Sequence, residues 1–267
     1  MEPIQGNVSI DAQNIMPIIK KWLYSDKDIF IREVVSNGCD AITKLRMVDS
    51  AAAQGCSIHV EVDKAARELR FIDDGVGMTE DEVKTNINQV AFSGAKSFME
   101  EYAKNEDKEN SGIIGHFGLG FYSVFMIADK VTIDTLSFRE GATPVRWESE
   151  DGMAFTMTEG TRTARGTTIT LHVSEAESEF LEVWRVREVL DRYCSFMSVP
   201  IYLDEIKEEE AKVTGDGAEE KSEPEKEAPK PINDTQPLYA RAPQDCTDED
   251  YKQFYRKVFH EYEDPLF

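Results

Sequence analysis

Ser36-Asn37-Gly38-Cys39 puts three weak helix formers and a small thiol in the middle of a run that otherwise reads as one helix, from about Ser25 to Val48. Glycine alone costs about 1 kcal/mol relative to alanine inside a helix. A chain carries that cost where something must come close to the backbone. Glu33, Asn37, Asp40 and Lys44 recur at i, i+4, i+7 and i+11, so they share one face of the same helix. On spacing alone that stripe is also what a solvated amphipathic face looks like. Its chemistry suggests more: a carboxylate one turn from an amide suits metal-assisted hydrolysis. The Glu would polarise a water and the Asn oxygen would ligate Mg2+.

Two glycine-rich stretches follow. In Phe71-Ile-Asp-Asp-Gly-Val-Gly-Met-Thr, Asp73 ends an apolar strand pattern and Gly75 and Gly77 come next. Such a stretch is often an ordinary Asp/Gly turn. It also suits a purine, because Asp73 can accept a hydrogen bond from an exocyclic amine while the glycines let the chain pass close to the base. In Gly112-Ile-Ile-Gly-His-Phe-Gly-Leu-Gly-Phe-Tyr-Ser, the spacing of Gly115, Gly118 and Gly120 is G-x-x-G-x-G. That is not the dinucleotide fingerprint, and no Gly-Lys-Ser/Thr follows to make a P-loop. A flexible hinge and an anion-binding loop feeding a helix N-terminus both fit it.

Organisation along the chain frames these stretches. A short strand at Asn7–Ile10 and an apolar helix carrying Ile15, Ile18, Ile19, Trp22 and Leu23 open the chain. Ser25-x-x-Asp28 reads as a capping box for the second helix, and Thr79-x-x-Glu82 as another. Alternation at Ile58, Val60, Val62 and at Leu69, Phe71 predicts a hairpin over 57–63 and 67–73. Further strands are expected at about 130–138, 144–149, 153–158 and 167–173. An amphipathic helix from Phe180 to Tyr193 and a last strand, Val199–Leu203, follow. Neighbouring strands with helices grouped apart favour an α+β sandwich over a doubly wound sheet. Residues 93–120, rich in Ser, Gly, Lys, Glu and Asn, read as a mobile segment.

Residues 204–230 hold eleven Asp/Glu and five Lys with almost no apolar content, so 204–232 is expected to be a disordered acidic linker after a 1–203 domain. Residues 233–267 are too few for a domain and read as the cut start of the next one. A formal charge of −22 argues against nucleic acid and against anionic membranes as partners. No basic-then-apolar leader and no run near the roughly 18 apolar residues of a membrane span is present. Cys39, Cys56, Cys194 and Cys246 are scattered, which points to reduced thiols in a cytoplasmic setting rather than to zinc or disulfides.

The order of these motifs, with Arg165-Gly166-Thr167 before a late strand, resembles the ATP-binding fold shared by gyrase, mismatch-repair ATPases, sensor histidine kinases and the heat-shock protein 90 chaperones. The runs Phe30-Ile-Arg-Glu-Val-Val-Ser-Asn-Gly-Cys-Asp-Ala, Ala91-Phe-Ser-Gly-Ala-Lys and Ile114-Gly-His-Phe-Gly-Leu-Gly-Phe-Tyr-Ser are close to the chaperone family's signatures, and Asn233-Asp-Thr-Gln-Pro-Leu-Tyr looks like the start of its middle domain. The short linker favours the bacterial branch. The resemblance implies a Bergerat-type, two-layer α/β sandwich whose mostly antiparallel sheet is covered by helices on one face.

Carried onto this chain, the resemblance implies Glu33 as general base and Asn37 as the Mg2+ ligand. Asp73 would bind the adenine amino group, helped by Gly77 and Thr167, with Met78 on the base and Asn86 near the ribose and phosphates. Gly115, His116, Phe117, Gly118, Leu119, Gly120 and Phe121 would wrap the phosphates. Asp40 and Gly94 complete the expected ATP/ADP-binding set, and residues 93–120 would form a lid. His116 stands where the family commonly has Gln, and Phe92 where many members have Lys; backbone N–H contacts are indifferent to both. The implied function is Mg2+-dependent ATP hydrolysis driving a chaperone that acts on client proteins. The full-length protein would be a homodimer and this stretch alone a monomer. A topoisomerase or mismatch-repair ATPase is the alternative, and the acidic charge speaks against it. None of the four histidines lies on a helical hairpin, as a sensor kinase would require.

Overall fold

The computed structural model describes residues 26–89, 113–115, 120–207 and 229–259. The expected strand at 7–10 and helix at 15–23 lie outside the described residues, as do most of 93–120 and of the acidic stretch. Among the described residues the chain forms a seven-stranded sheet with four α-helices. The strands are β1 (Ile58–Asp63), β2 (Glu68–Asp73), β3 (Ala128–Leu136), β4 (Val145–Ser149), β5 (Thr156–Glu159), β6 (Gly166–Val173) and β7 (Ile201–Ile206). Their order across the sheet is β5-β4-β3-β6-β2-β1-β7. Every neighbouring pair is antiparallel except β1 with β7, which run parallel.

Strand alternation assigns the two faces. Ile58, Val60, Val62, Leu69, Phe71, Val131, Ile133, Ile169 and Leu171 are buried on one face. Helices α1 (Ile29–Val48) and α3 (Val183–Tyr193), with a 3-10 helix at Gly120–Met126, pack there. Phe30 lies edge-on to Phe71 and Phe180, with ring centroids 6.4 and 5.1 Å apart, and so pins α1 to the sheet. The other face carries charge. Arg70 reaches Glu68 at 2.6 Å and Asp63 at 3.2 Å. Glu148 lies between Lys130 at 2.9 Å and Arg146 at 3.0 Å, and these hydrogen bonds hold its carboxyl down at about 2. One covered face on a largely antiparallel sheet is the α+β, two-layer architecture that the sequence implies.

Several boundaries follow the local signals. The 57–63 and 67–73 hairpin pairs Ile58 with Asp73 through Asp63 with Glu68. Thr79 caps α2 (Glu80–Asn86) with a full capping box: its hydroxyl accepts from the Glu82 N–H, and the Glu82 carboxylate accepts from the Thr79 N–H at 2.7 Å. The box expected at Ser25-x-x-Asp28 is different. Helix α1 begins at Ile29, and Asp28 at its N-cap makes no side-chain cap bond. The Asp28 carboxylate accepts instead from Arg185 at 2.5 Å and Arg192 at 3.3 Å, so a distant helix takes the group that local sequence assigns to the cap. Phe180 also falls outside α3, on a 3-10 turn (Glu175–Leu181) where it is fully buried.

The last strand runs Ile201–Ile206 rather than Val199–Leu203, because parallel pairing with β1 continues to Asp63. The chain returns to the same strand after the acidic stretch. Ile232 N–H donates to the Ile201 carbonyl at 2.8 Å. The buried Asn233 side chain accepts from Ile201 N–H at 2.9 Å and donates to the Met197 and Val199 carbonyls at 2.8 Å each. Beyond it, α4 (Asp248–Phe259) lays Phe254 against Phe196, with centroids 5.4 Å apart.

Candidate nucleotide site

The stripe on α1 faces a seam between the helix, the end of β2 and the entry to the 120–126 helix. Gly38 is what lets the helix approach: a Cβ there would lie 3.0 Å from Ile58 Cδ1 and 3.5 Å from Asp73 Cβ. The weak helix former predicted to mark a close approach does so, and its neighbour across the seam is the residue that ends β2.

Asp73 is 9% exposed at the last position of β2, paired with Thr167 of β6. Its Oδ1 accepts from Gly75 N–H at 2.8 Å. Burial pushes the carboxyl up to about 7, against the pull of the Gly75 and Thr167 amides and the Arg162 charge. A carboxyl buried at the edge of the seam, which burial makes costly to leave charged, suits a donor brought by a ligand.

The turn after Asp73 threads between α1 and the end of β3. Val76 N–H donates to the Ala41 carbonyl at 3.2 Å, and Phe138 N–H donates to the Val76 carbonyl at 2.8 Å. Gly77 adopts φ +60°, and a Cβ there would stand 1.9 Å from the Leu136 carbonyl oxygen. Gly166 at φ +117° would drive a Cβ to 2.1 Å from the Asp73 carbonyl oxygen. Thr135, fully buried on β3, ties the pieces together. Its Oγ1 accepts from Met78 N–H at 3.0 Å, donates to the Gly166 carbonyl at 3.1 Å and lies 3.0 Å from Thr167 Oγ1. Thr135 has no motif around it. The only sequence signal is a hydroxyl on an inward strand position.

Arg162 is a second residue that sequence reasoning missed. Buried Asp134 accepts from Thr161 N–H at 3.0 Å and from its hydroxyl at 2.5 Å, fixing the loop that carries Arg162. The Arg162 guanidinium then donates to Thr168 Oγ1 at 2.5 Å and to the Arg165 carbonyl at 3.1 Å, beside Asp73.

At the other end of the stripe, Glu33 is partly buried, and desolvation raises its carboxyl above the ordinary range against a weaker pull from Arg32. Gly120 sits directly against it, since a Cβ there would be 2.1 Å from Glu33 Oε2. Asn37, one turn further along α1, is exposed. Asp40, 6% exposed, accepts backbone N–H bonds from Ile114 and Gly115 at 2.7 Å each. Burial lowers the Lys44 ammonium from its usual value, with Asp40 and Glu82 opposing. Met78 packs partly buried against the core, and Asn86 is half-buried at the end of α2. The Phe121 ring is in the core, edge-on to Trp147 at 5.8 Å, so only its backbone is left for a ligand. Gly94, His116, Phe117, Gly118 and Leu119 lie outside the described residues.

Residues 28–152 match the family described as histidine kinase-, DNA gyrase B- and HSP90-like ATPases, and residues 227–267 match the Hsp90 protein family. The chain is 42% identical over 268 residues to a chaperone protein HtpG of Porphyromonas gingivalis strain W83, covering 98% of this chain and 37% of that protein. The chain belongs to the HSP90 family. A Bacteroides thetaiotaomicron chaperone protein HtpG is 43% identical over 98% of the chain and 37% of its own length. One from Alkalilimnicola ehrlichii is 37% identical over 96% of the chain and 40% of its own. The chain thus spans less than half the length of these relatives. Within it lies the HSP90-like ATPase domain, of the HtpG type. No helix among the described residues is long and apolar enough to cross a membrane.

Proposed function

We propose that this chain binds ATP and ADP with Mg2+ in the seam between α1, the end of β2 and Gly115–Phe121, and that slow hydrolysis there drives a chaperone cycle acting on client proteins. The carrying observation is Asp73: a buried carboxyl at a strand end, flanked by a glycine turn that no side chain can enter. Such a group accepts the adenine amino hydrogen, while Thr167, Gly77 and Met78 supply the adjoining wall. Glu33 acts as the base that orients and deprotonates water, and its raised carboxyl is better matched to neutral pH than an ordinary Glu.

Mg2+ fits the donor set. Among the described residues no three His, Cys, Asp or Glu cluster as a dedicated metal cage. Mg2+ typically takes one or two protein oxygens and completes its shell with phosphates and water, and the exposed Asn37 amide one turn from Glu33 would hold it. When bound, the metal would neutralise charge on the phosphate oxygens. Asn86, Gly94 and the glycine loop with His116 are assigned to the ribose and phosphate end.

Residues 1–203, with the last strand extended to Ile206, are read as the ATP-binding domain. Residues 204–232 are read as an acidic linker and 233–267 as the opening of a middle domain. A cytoplasmic homodimer is the reading for the whole protein, with this stretch monomeric. The match of residues 227–267 to the Hsp90 family favours a chaperone over a gyrase-type or repair ATPase, as does the −22 charge. Isothermal titration of Mg·ADP into wild type and Asp73→Asn tests the site. Equal affinity in the two would remove the adenine assignment.

A further inference from the structure

Asp73, Thr167 and Thr135 stand side by side on the covered face of the sheet, one from each of three neighbouring strands. The register pairs Asp73 of β2 with Thr167 of β6, and Thr167 in turn with Thr135 of β3. Each lies two residues from an apolar neighbour on that face, Phe71, Ile169 and Ile133 respectively, and all three are buried. Buried hydroxyl groups take hydrogen-bond partners from the protein around them, so the partners of this row can be assigned one by one.

A threonine hydroxyl has one hydrogen and two lone pairs. At Thr135 the Met78 amide can only donate, and its N–H takes one lone pair of Oγ1 at 3.0 Å. The Gly166 carbonyl can only accept, and at 3.1 Å it takes the single hydrogen. What is left facing Thr167 Oγ1, 3.0 Å away, is the second lone pair. The Thr167 hydroxyl is therefore the donor across that contact. Its hydrogen points away from Asp73, and on the Asp73 side Thr167 presents lone pairs alone. A carboxyl by itself reads a ligand ambiguously, because it turns donor on taking a proton. A hydroxyl whose hydrogen is held elsewhere does not.

We propose that Thr135 is a positioning residue that sets base specificity: by accepting the Thr167 hydrogen it fixes Thr167 as an acceptor beside Asp73. This end of the seam then favours a purine bearing an exocyclic amine and rejects one bearing an oxo group in its place. The inference rests on the nucleotide reading above and adds to it a residue that touches no ligand. An amine brings hydrogens to two acceptors, whereas an oxo group sets its lone pairs against those of Thr167. Polar groups left unpaired in a buried site are what make such discrimination steep.

The test combines calorimetry of Mg·ADP and of Mg·IDP, its 6-oxo counterpart, with neutron diffraction from the ligand-free 267-residue chain in heavy water. Wild type should prefer Mg·ADP by at least about 100-fold. Thr135→Val keeps the shape but releases the Thr167 hydrogen, and should lower that preference about tenfold, while Thr135→Ser should hold it within about threefold of wild type. Thr167→Val should lower the preference as well, and adding Thr135→Val to it should change it no further, since Thr135 acts through Thr167. A preference that survives Thr135→Val, or that Thr135→Ser fails to keep, overturns the proposal. Equal binding of both nucleotides by wild type also overturns it and leaves the nucleotide reading standing. Neutron density should place the Thr167 deuterium toward Thr135, and a deuterium directed toward Asp73 overturns the proposal whether or not the valine variant folds. Should wild type bind neither nucleotide, the nucleotide reading fails by itself, and the neutron result still decides whether Thr135 orients Thr167.

Discussion

Gly38 on α1 and Asp73 at the end of β2 face each other at contact distance, with 3.5 Å between a Cβ built on the glycine and the aspartate Cβ. Helix propensity favours Gly38→Ala by about 1 kcal/mol. The 3.0 Å approach to the buried Ile58 Cδ1 opposes it. The expected outcome is a stability change within about 1 kcal/mol by denaturant unfolding, together with a clear loss of Mg·ADP affinity because α1 is pushed off the Asp73 seam. Unchanged affinity in a stably folded variant would show that the seam tolerates widening.

Asp73→Asn should weaken Mg·ADP binding by at least about tenfold, since a hydrogen bond to a charged group is worth roughly 1.5–3 kcal/mol. The same change alters stability in a pH-dependent way. The folded carboxyl titrates at about 7, against about 3.9 for an unfolded Asp. Between those values the folded state holds the extra proton, so this group's contribution to stability is present at low pH and is lost as pH rises through 7. Ligand-free Asp73→Asn should therefore gain melting temperature relative to wild type at pH 8, and gain less at pH 5. A difference that does not vary with pH would contradict the raised carboxyl.

Glu33→Gln should leave Mg·ADP affinity intact and lower ATP turnover of the full-length protein by about 10²–10⁴-fold. Wild-type turnover should climb with pH through an ionisation above the ordinary Glu range, because the base works deprotonated and burial raises its carboxyl. A Gln variant with wild-type turnover would exclude Glu33 as the base.

Gly77→Ala combines a left-handed backbone with a Cβ 1.9 Å from the Leu136 carbonyl oxygen, where no flexible side chain can give way. A loss of about 3 kcal/mol or more is expected, or failure to accumulate folded protein. Gly115→Ala meets only side-chain oxygens, at 3.0 Å or beyond, and should cost far less in global stability.

The parts of this fold that were legible in the sequence are those fixed by neighbours along the chain. The Thr79-x-x-Glu82 box starts α2, and alternation places the β1–β2 hairpin with Ile58 opposite Asp73. Gly38 and Gly77 could be read as close approaches because glycine in those settings has few other uses. Long-range competition was not legible. Asp28 looks like part of a cap until Arg185, on another helix, claims its carboxylate. Thr135 and Arg162 enter the site only because β3 pairs with β6 and because Asp134 holds the 160–162 loop. Asp40 carries the chemistry of a ligand in its helical spacing, and only the placement of Ile114 and Gly115 shows that backbone already occupies it.

Asn233→Ala should remove three side-chain hydrogen bonds and leave the Ile201 N–H inside the protein without its acceptor. A cost of about 1–3 kcal/mol follows. Exchange at the Ile232 and Asp234 amides, which bond to the Ile201 and Ser195 carbonyls, should rise well before the rest of the sheet opens. Protection lost uniformly across the sheet would mean that this clasp is no independent unit.

That clasp has a bearing on how the acidic stretch can change over evolutionary time. The chain leaves β7 at Ile206 and comes back to Ile201 of the same strand, so the gap to be bridged is one short strand, about 3.3 Å per residue. With both ends pinned to one strand, the positions of Ile232 and Asn233 are set by their bonds to Met197, Val199 and Ile201 and not by how many residues separate them from Ile206. Insertions, deletions and drift in charge there are nearly neutral for the placement of whatever follows Asn233, whereas a single substitution at the pin is not.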